Sequence, residues 1–206
     1  MSQFFYIHPD NPQQRLLRQA SEIIHQGGVV VYPTDSGYAI GCQMEDKAAL
    51  EQICRIRQIG KDHNFTLMCR DMSELSIYAR VDNTAFRLIK NNTPGPYTFI
   101  LKATKEVPKR LQNPKRKTIG IRVPDNAIAL QLLEELGEPL MSTTLILPVA
   151  SQAEFDPDDI RDKLERQVAL IIHGGFLGEQ PTTVIDMSEG GVVVVREGSG
   201  DTSVFG

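Results

Sequence analysis

Five stretches of the chain hold residue types that can do chemistry together. Tyr32-Pro33-Thr34-Asp35-Ser36-Gly37 follows the apolar run Val29-Val30-Val31. Polar residues just past the carboxyl end of a sheet strand occupy the usual ligand crevice of open α/β folds. The same residues also form a turn for their own conformational reasons. Arg55-x-Arg57 with Lys61 carries three cations from a helix end into a loop. Guanidinium forks match phosphate oxygens, and cations there also complement the helix dipole. Lys109, Arg110, Lys115, Arg116 and Lys117 concentrate positive charge, and Arg122 interrupts the apolar strand that follows. Ser142-Thr143-Thr144 sets three hydroxyls in an apolar strand, where threonine also sits by propensity. The fifth stretch is Pro181-Thr182-Thr183, taken with Arg196 on the returning strand. This is anion-binding chemistry, rich in cations and hydroxyls. His8, His25, His63 and His173 lie far apart and make no ligand pair, so no metal site is expected.

The elements that must position these residues follow from periodicity. Helices are expected over 12–25, capped by Asn11 and ended by Gly27-Gly28, and over 46–57. Asp71 with Glu74 reads as a capping box for a short helix to residue 79. Further helices are expected over 83–90 and over 126–136, the latter closed by Gly137, and one opens at Asp156-Pro157. Strands are expected over 29–32, 65–69, 97–102, 118–123, 140–146, 168–172, 183–186 and 192–196. Pro33 to Gly37 and Thr93 to Pro96 read as turns, and Gly190-Gly191 as a hairpin turn. The small polar tail 198–206 is expected to be mobile unless docked. Interleaved helices and strands make the class α/β with a twisted sheet, and the late hairpin makes that sheet mixed.

Composition removes several function classes. Lysine plus arginine is 22 against 26 for aspartate plus glutamate, a net charge of -4, which excludes a globally basic nucleic-acid binder. Only 6% of residues are aromatic and tryptophan is absent, so a base-stacking platform is poorly supplied. No GxGxxG or GxxxxGK[ST] fingerprint is present, so nucleotide phosphates would need side-chain cations or irregular turns. Cys42, Cys54 and Cys69 are odd in number and make no CxxC pair, the pattern of neither a disulfide framework nor a zinc site. The first residues lack the pattern of a signal peptide and no apolar run spans a bilayer, so a cytoplasmic protein is expected. The 206 residues suit a single domain over 1–206.

The order of the motifs is more specific than any one of them. Val-Val-Tyr-Pro-Thr-Asp-Ser-Gly-Tyr-Ala-Ile-Gly-Cys is followed by Arg-x-Arg, Pro-Gly-Pro-Tyr-Thr, Ile-Arg-Val-Pro, Ser-Thr-Thr, Pro-Thr-Thr-Val-Ile-Asp and Arg-Glu-Gly. Over about residues 12–200 this resembles the YrdC/YciO family, whose best-known members are threonylcarbamoyl-AMP synthases. The resemblance implies an α/β fold, a twisted mixed parallel/antiparallel sheet with flanking helices and a concave basic face. It implies that L-threonine, bicarbonate and ATP give threonylcarbamoyl-adenylate and pyrophosphate, for modification of an adenosine in tRNA. ATP would come as substrate with Mg²⁺, and the phosphate charge would be neutralised by Mg²⁺, arginine and lysine.

Carried over by position, the resemblance makes Arg55 and Arg57 the catalytic cations. It assigns ATP to Arg57, Lys61, Thr118, Thr144 and Arg196, and L-threonine to Thr34, Arg122 and Thr182. Double-stranded RNA or tRNA binding on the concave face would use Lys109, Arg110, Lys115, Arg116 and Lys117. Two departures stand out. Arg55 replaces a lysine, and the family motif Ser-x-Asn falls on Thr144-Leu145-Ile146, so isoleucine removes a carboxamide with two donors and an acceptor. Loss of a polar contact in a buried site costs on the order of 1–3 kcal/mol, so weak or altered activity is expected. The alternatives are an RNA-binding module that kept the fold without the chemistry, and an enzyme that uses the same cleft for another carbamoyl or nucleotide substrate.

Overall fold

The computed structural model describes residues 1–60 and 62–206; Lys61 lies outside them. In chain order the elements are β1 (Gln3–Tyr6), α1 (Gln14–His25), β2 (Val30–Thr34), β3 (Gly37–Gln43), α2 (Lys47–Arg57) and β4 (Thr66–Met68). Next come α3 (Met72–Tyr78), α4 (Asn83–Asn92), β5 (Tyr97–Lys102), β6 (Thr118–Arg122), α5 (Ala127–Leu136) and β7 (Leu140–Thr144). The last are α6 (Pro157–Leu164), β8 (Leu170–His173), β9 (Thr183–Asp186) and β10 (Val193–Arg196). Helix starts follow side-chain chemistry. Asp46, Asp71, Asp82, Asn126 and Asp156 each accept a backbone N–H of the first turn, satisfying donors that would otherwise be orphaned.

The strands form one ten-stranded sheet in the order β1-β8-β2-β3-β7-β4-β6-β5-β9-β10. β1–β8, β2–β8, β4–β6 and β5–β9 are parallel; the other neighbours are antiparallel. This is the mixed sheet with flanking helices that the sequence predicts. Side chains alternate between faces along a strand. One face carries Val31, Ile40, Leu67, Phe99 and Ile121 into a core shared with α2, which adds Ile53, and with α3, α4 and α6. The other face splits. Its first half, with Val30, Tyr32, Met68, Leu140 and Ile172, is sealed by Leu17 and Ile24 of α1 and Ile128, Leu132 and Leu136 of α5. Among the described residues its second half bears no helix.

Three sequence expectations change. The segment read as a turn over 33–37 is mostly strand: β2 runs to Thr34, and Gly37, at φ +101°, opens a return strand, β3, that pairs with all of it. β8 reaches only Val30 and Val31, so Pro33 faces no ladder on that side. β3 is almost wholly buried, so no alternation marks it as a strand. β1 was not expected at all. The tail is docked: Thr183 Oγ1 donates to Gly200 O at 2.6 Å, Tyr97 Oη donates to Asp201 O at 3.0 Å, and Phe205 is buried against Tyr97 and Phe99. Among the described residues no helix is long and apolar enough to cross a membrane.

Candidate functional site

The uncovered half of the sheet face is the floor of a cleft of about 350 Å³. Register places the floor residues side by side. Thr66 of β4 lies opposite Gly120 of β6, Gly120 opposite Ile100 of β5, and Thr98 opposite Val184 of β9. β5 shows the division in its own sequence: Tyr97, Phe99 and Leu101 are buried, while Thr98, Ile100 and Lys102 are half-exposed on the other side. Gly120 keeps the floor low, because a Cβ there would lie 2.9 Å from Thr66 Oγ1. The lining holds six threonines (Thr66, Thr98, Thr118, Thr143, Thr144 and Thr182), three arginines (Arg57, Arg116 and Arg196) and no carboxylate among the described residues. Such a surface attracts an anion and offers it hydrogen bonds of fixed direction.

Arg57 closes one end. It is the last residue of α2, and its guanidinium is half-buried. Its Nε donates to Ile146 O at 3.1 Å, and Nη1 donates to Thr143 Oγ1 at 2.5 Å. His63 meets the same hydroxyl, with Nε2 at 2.9 Å from Thr143 Oγ1 and 3.4 Å from Arg57 Nη1. Burial and the neighbouring guanidinium push the His63 ring down to about 4. Arg196 closes the other end, with Nε and Nη2 on Thr182 O at 3.1 and 2.8 Å. Thr182 Oγ1 in turn sits 2.8 Å from Thr98 Oγ1.

Arg122 lies on the same strand face as Gly120, one pleat step away and buried. Its Nη2 donates to the Asp35 carboxylate, which also accepts the Asp125 N–H at 2.8 Å. Burial pulls its pKa down, and the Asp35 charge pulls it back up. Arg196 is near enough to repel it. The Arg122 Nε is buried and makes no hydrogen bond to the described residues.

Six of the sequence-predicted residues therefore meet in the cleft: Arg57, Arg116, Thr118, Thr144, Thr182 and Arg196. Others do not. Arg55 is exposed and lines a separate hollow with Gln58, Glu154 and Lys163. Two residues on a helix are about 200° apart, so Arg55 and Arg57 leave α2 on opposite sides and do not form one clamp. Thr34 is buried outside the lining, and its hydroxyl is committed to the turn, donating to Gly37 O at 2.6 Å and accepting the Ser36 N–H at 3.1 Å. Lys61 lies outside the described residues.

The basic run also divides. Arg110 Nη2 donates to the Met44 and Glu45 carbonyls at 3.2 and 2.7 Å. Arg116 enters the cleft wall, held by Asp186 at 2.8 Å and Ser188 at 2.6 Å. Lys109, Lys115 and Lys117 remain exposed. Sequence reasoning passed over His63, Asn64, Thr66, Thr98 and Asn113. For Thr98 the signal was present, since it alternates with the apolar Tyr97 and Phe99 along β5; Thr66 and Thr118 join it on one sheet face only through strand register. His63 has no sequence partner because its partners, Arg57 and Thr143, come from a helix and a distant strand.

The whole chain is similar to known proteins. The uncharacterized protein YciO of Escherichia coli strain K12 is 69% identical over 205 residues, covering 100% of both chains. The crystal structure of E. coli YciO superposes with a TM-score of 0.96 over 100% of both chains. The threonylcarbamoyl-AMP synthase of Vibrio vulnificus strain YJ016 is 28% identical over 77% of this chain and 86% of that protein. P. abyssi Sua5, solved in complex with L-threonine, shares the fold, with a TM-score of 0.87 at 23% identity over 95% of this chain and 57% of that one. The family model described as telomere recombination matches residues 22–198, and this chain accordingly belongs to the Sua5/YciO/YrdC family.

Proposed function

We propose that the cleft binds ATP and L-threonine and joins them with bicarbonate into threonylcarbamoyl-adenylate and pyrophosphate, at a reduced rate. The observation that carries this reading is a cleft lined by three arginines and six threonines, with no carboxylate among the described residues. The reaction needs charge neutralisation more than proton transfer. The threonine amine and bicarbonate give a carbamate with loss of water. A carbamate oxygen then attacks the α-phosphorus, and pyrophosphate leaves. Arg57 and Arg196 would hold the phosphates from opposite ends, with Thr118 and Thr144 donating hydroxyls. Arg122 would take the threonine carboxylate on its unpartnered Nε, for an unsatisfied buried donor favours an acceptor. Thr182 would sit between the two substrates. Magnesium would enter as part of the ATP substrate, held largely by phosphates and water. The names of relatives support this reading: one is called a threonylcarbamoyl-AMP synthase, and another was solved with L-threonine.

Reduced rate follows from Ile146. It lines the cleft and is half-buried, so an aliphatic group stands where the family pattern has a carboxamide. Pyrophosphate release, measured with ATP alone and with threonine plus bicarbonate, tests the reading. Slow release that requires both additions is expected, and Ile146→Asn should raise it several-fold. Release that ignores threonine and bicarbonate contradicts it.

A second reading, RNA binding, is favoured by Lys109, Lys115 and Lys117, exposed on one short segment. Three phosphate contacts give a salt slope of about −2.7, so affinity should fall about 40-fold between 50 and 200 mM salt. Binding insensitive to salt contradicts it.

A further inference from the structure

His63 has no part in the reading above, yet it lies in the cleft wall against the side chain that closes one end. A guanidinium only donates hydrogen bonds. The 2.5 Å contact therefore makes Thr143 Oγ1 the acceptor of Arg57 Nη1, and leaves the single hydroxyl proton for another partner. His63 Nε2, at 2.9 Å, is that partner, and it can accept only if its own proton sits on Nδ1. The opposite tautomer would aim an N–H toward the cationic Nη1, 3.4 Å away. The chain is thus Arg57 to Thr143 to His63, with a neutral ring as the final acceptor. The ring is fixed further by Phe65, edge-on at 5.2 Å. Among the described residues, Arg57 is the charged group that acts on the ring; Thr143 and Phe65 are uncharged, and Asp62, next in the chain, is exposed.

We propose that neutral His63 is a positioning residue, aiming Arg57 through Thr143, and that a polyphosphate bound in the cleft draws a proton from solvent onto His63. The inference rests on the cleft being a phosphate site. Burial first, and then the Arg57 charge, hold the free ring at about 4, below its ordinary 6.5. A bound polyanion offsets the Arg57 charge and favours a ring that donates. The sign follows from linkage: a group whose pKa rises on binding strengthens binding as pH falls from the bound value toward the free one.

Pyrophosphate is the probe. Calorimetry at pH 6.5, in buffers of different protonation enthalpy, counts protons taken up by wild type and by His63→Gln; the titration of pyrophosphate itself is common to both. Glutamine can accept from Thr143 but does not titrate. Wild type should take up a measurable fraction of a proton more per pyrophosphate, less than the half proton of a ring at its ordinary pKa, because burial persists in the complex. His63→Gln should keep affinity within about threefold, and His63→Ala should lose about tenfold. Equal proton counts overturn the coupling, and an unweakened His63→Ala overturns the positioning. A wild-type protein that binds neither pyrophosphate nor ATP contradicts the proposed function and the coupling together. NMR of the free protein then still decides the positioning: a ring that titrates near 6.5, or carries its proton on Nε2, overturns it.

Discussion

One face of one sheet does two different jobs in this molecule. Under α1 and α5 it presents Val30, Tyr32, Met68, Leu140 and Ile172, all shielded from solvent. Past Met68 and Leu140 the same face presents Thr66, Thr98, Thr118 and Gly120, with arginines at the rim and no helix above. The seam between the halves is polar, with Tyr32 Oη 2.6 Å from Ser142 Oγ. Adjacent positions of the same strands thus follow opposite rules. Where a helix seals the sheet, apolar area contributes to stability at about 25 cal/mol per Å². Where nothing seals it, hydroxyls and cations take the place of that contribution. On the proposed function, the helix-free half keeps its side chains for a ligand, at a cost to the fold that the sealed half offsets.

The largest expected effect sits at the border. Arg122→Ala leaves Asp35 buried without its cation, and should destabilise the protein by about 3–5 kcal/mol. The Asp35 contact gives Arg122 a part in the fold beside the ligand role proposed for it. Denaturant unfolding checks it; a loss under about 1 kcal/mol would place Arg122 with the cleft alone. In the sealed half, Leu132→Ala removes a fully buried side chain of α5 and should cost about 2–5 kcal/mol, with ATP affinity unchanged while the variant is folded. In the open half the pattern should invert. Arg57→Ala should weaken ATP binding about 10- to 150-fold, the range of a charged hydrogen bond, and change stability by under about 1 kcal/mol. Calorimetry and melting, run on both variants, either separate the halves or merge them. The smallest effect belongs to neither half. Val149 is fully exposed at φ +72°, a left-handed conformation that β-branched residues resist. Val149→Asn should stabilise by about 0.5–1 kcal/mol in the same unfolding assay.

The same two halves explain what could be read without coordinates. The helices α2, α4 and α5 were legible because Asp46, Asp82 and Asn126 mark their starts and apolar residues recur along one side. Strand β3 was not, because burial on both sides erases the alternation by which strands are recognised. In the cleft, Arg57, Thr144 and Arg196 were legible through motif order, not through any local property. Arg55 was misplaced because a motif counts residues along a chain, whereas a helix turns each by about 100°. His63 and Asp35 depend on contacts across 80 and 87 residues of sequence, which no local pattern encodes.

The division of the sheet face is tested most directly by mapping ATP onto the amides of the protein by NMR. The account predicts that resonances of Thr66, Thr98, Gly120, Thr144 and Thr182 move with ATP concentration, while those of Leu17, Ile24, Ile128 and Leu132 stay in place. Shifts confined to the α1–α5 side, or to the Arg55 hollow with the cleft unmoved, would contradict it.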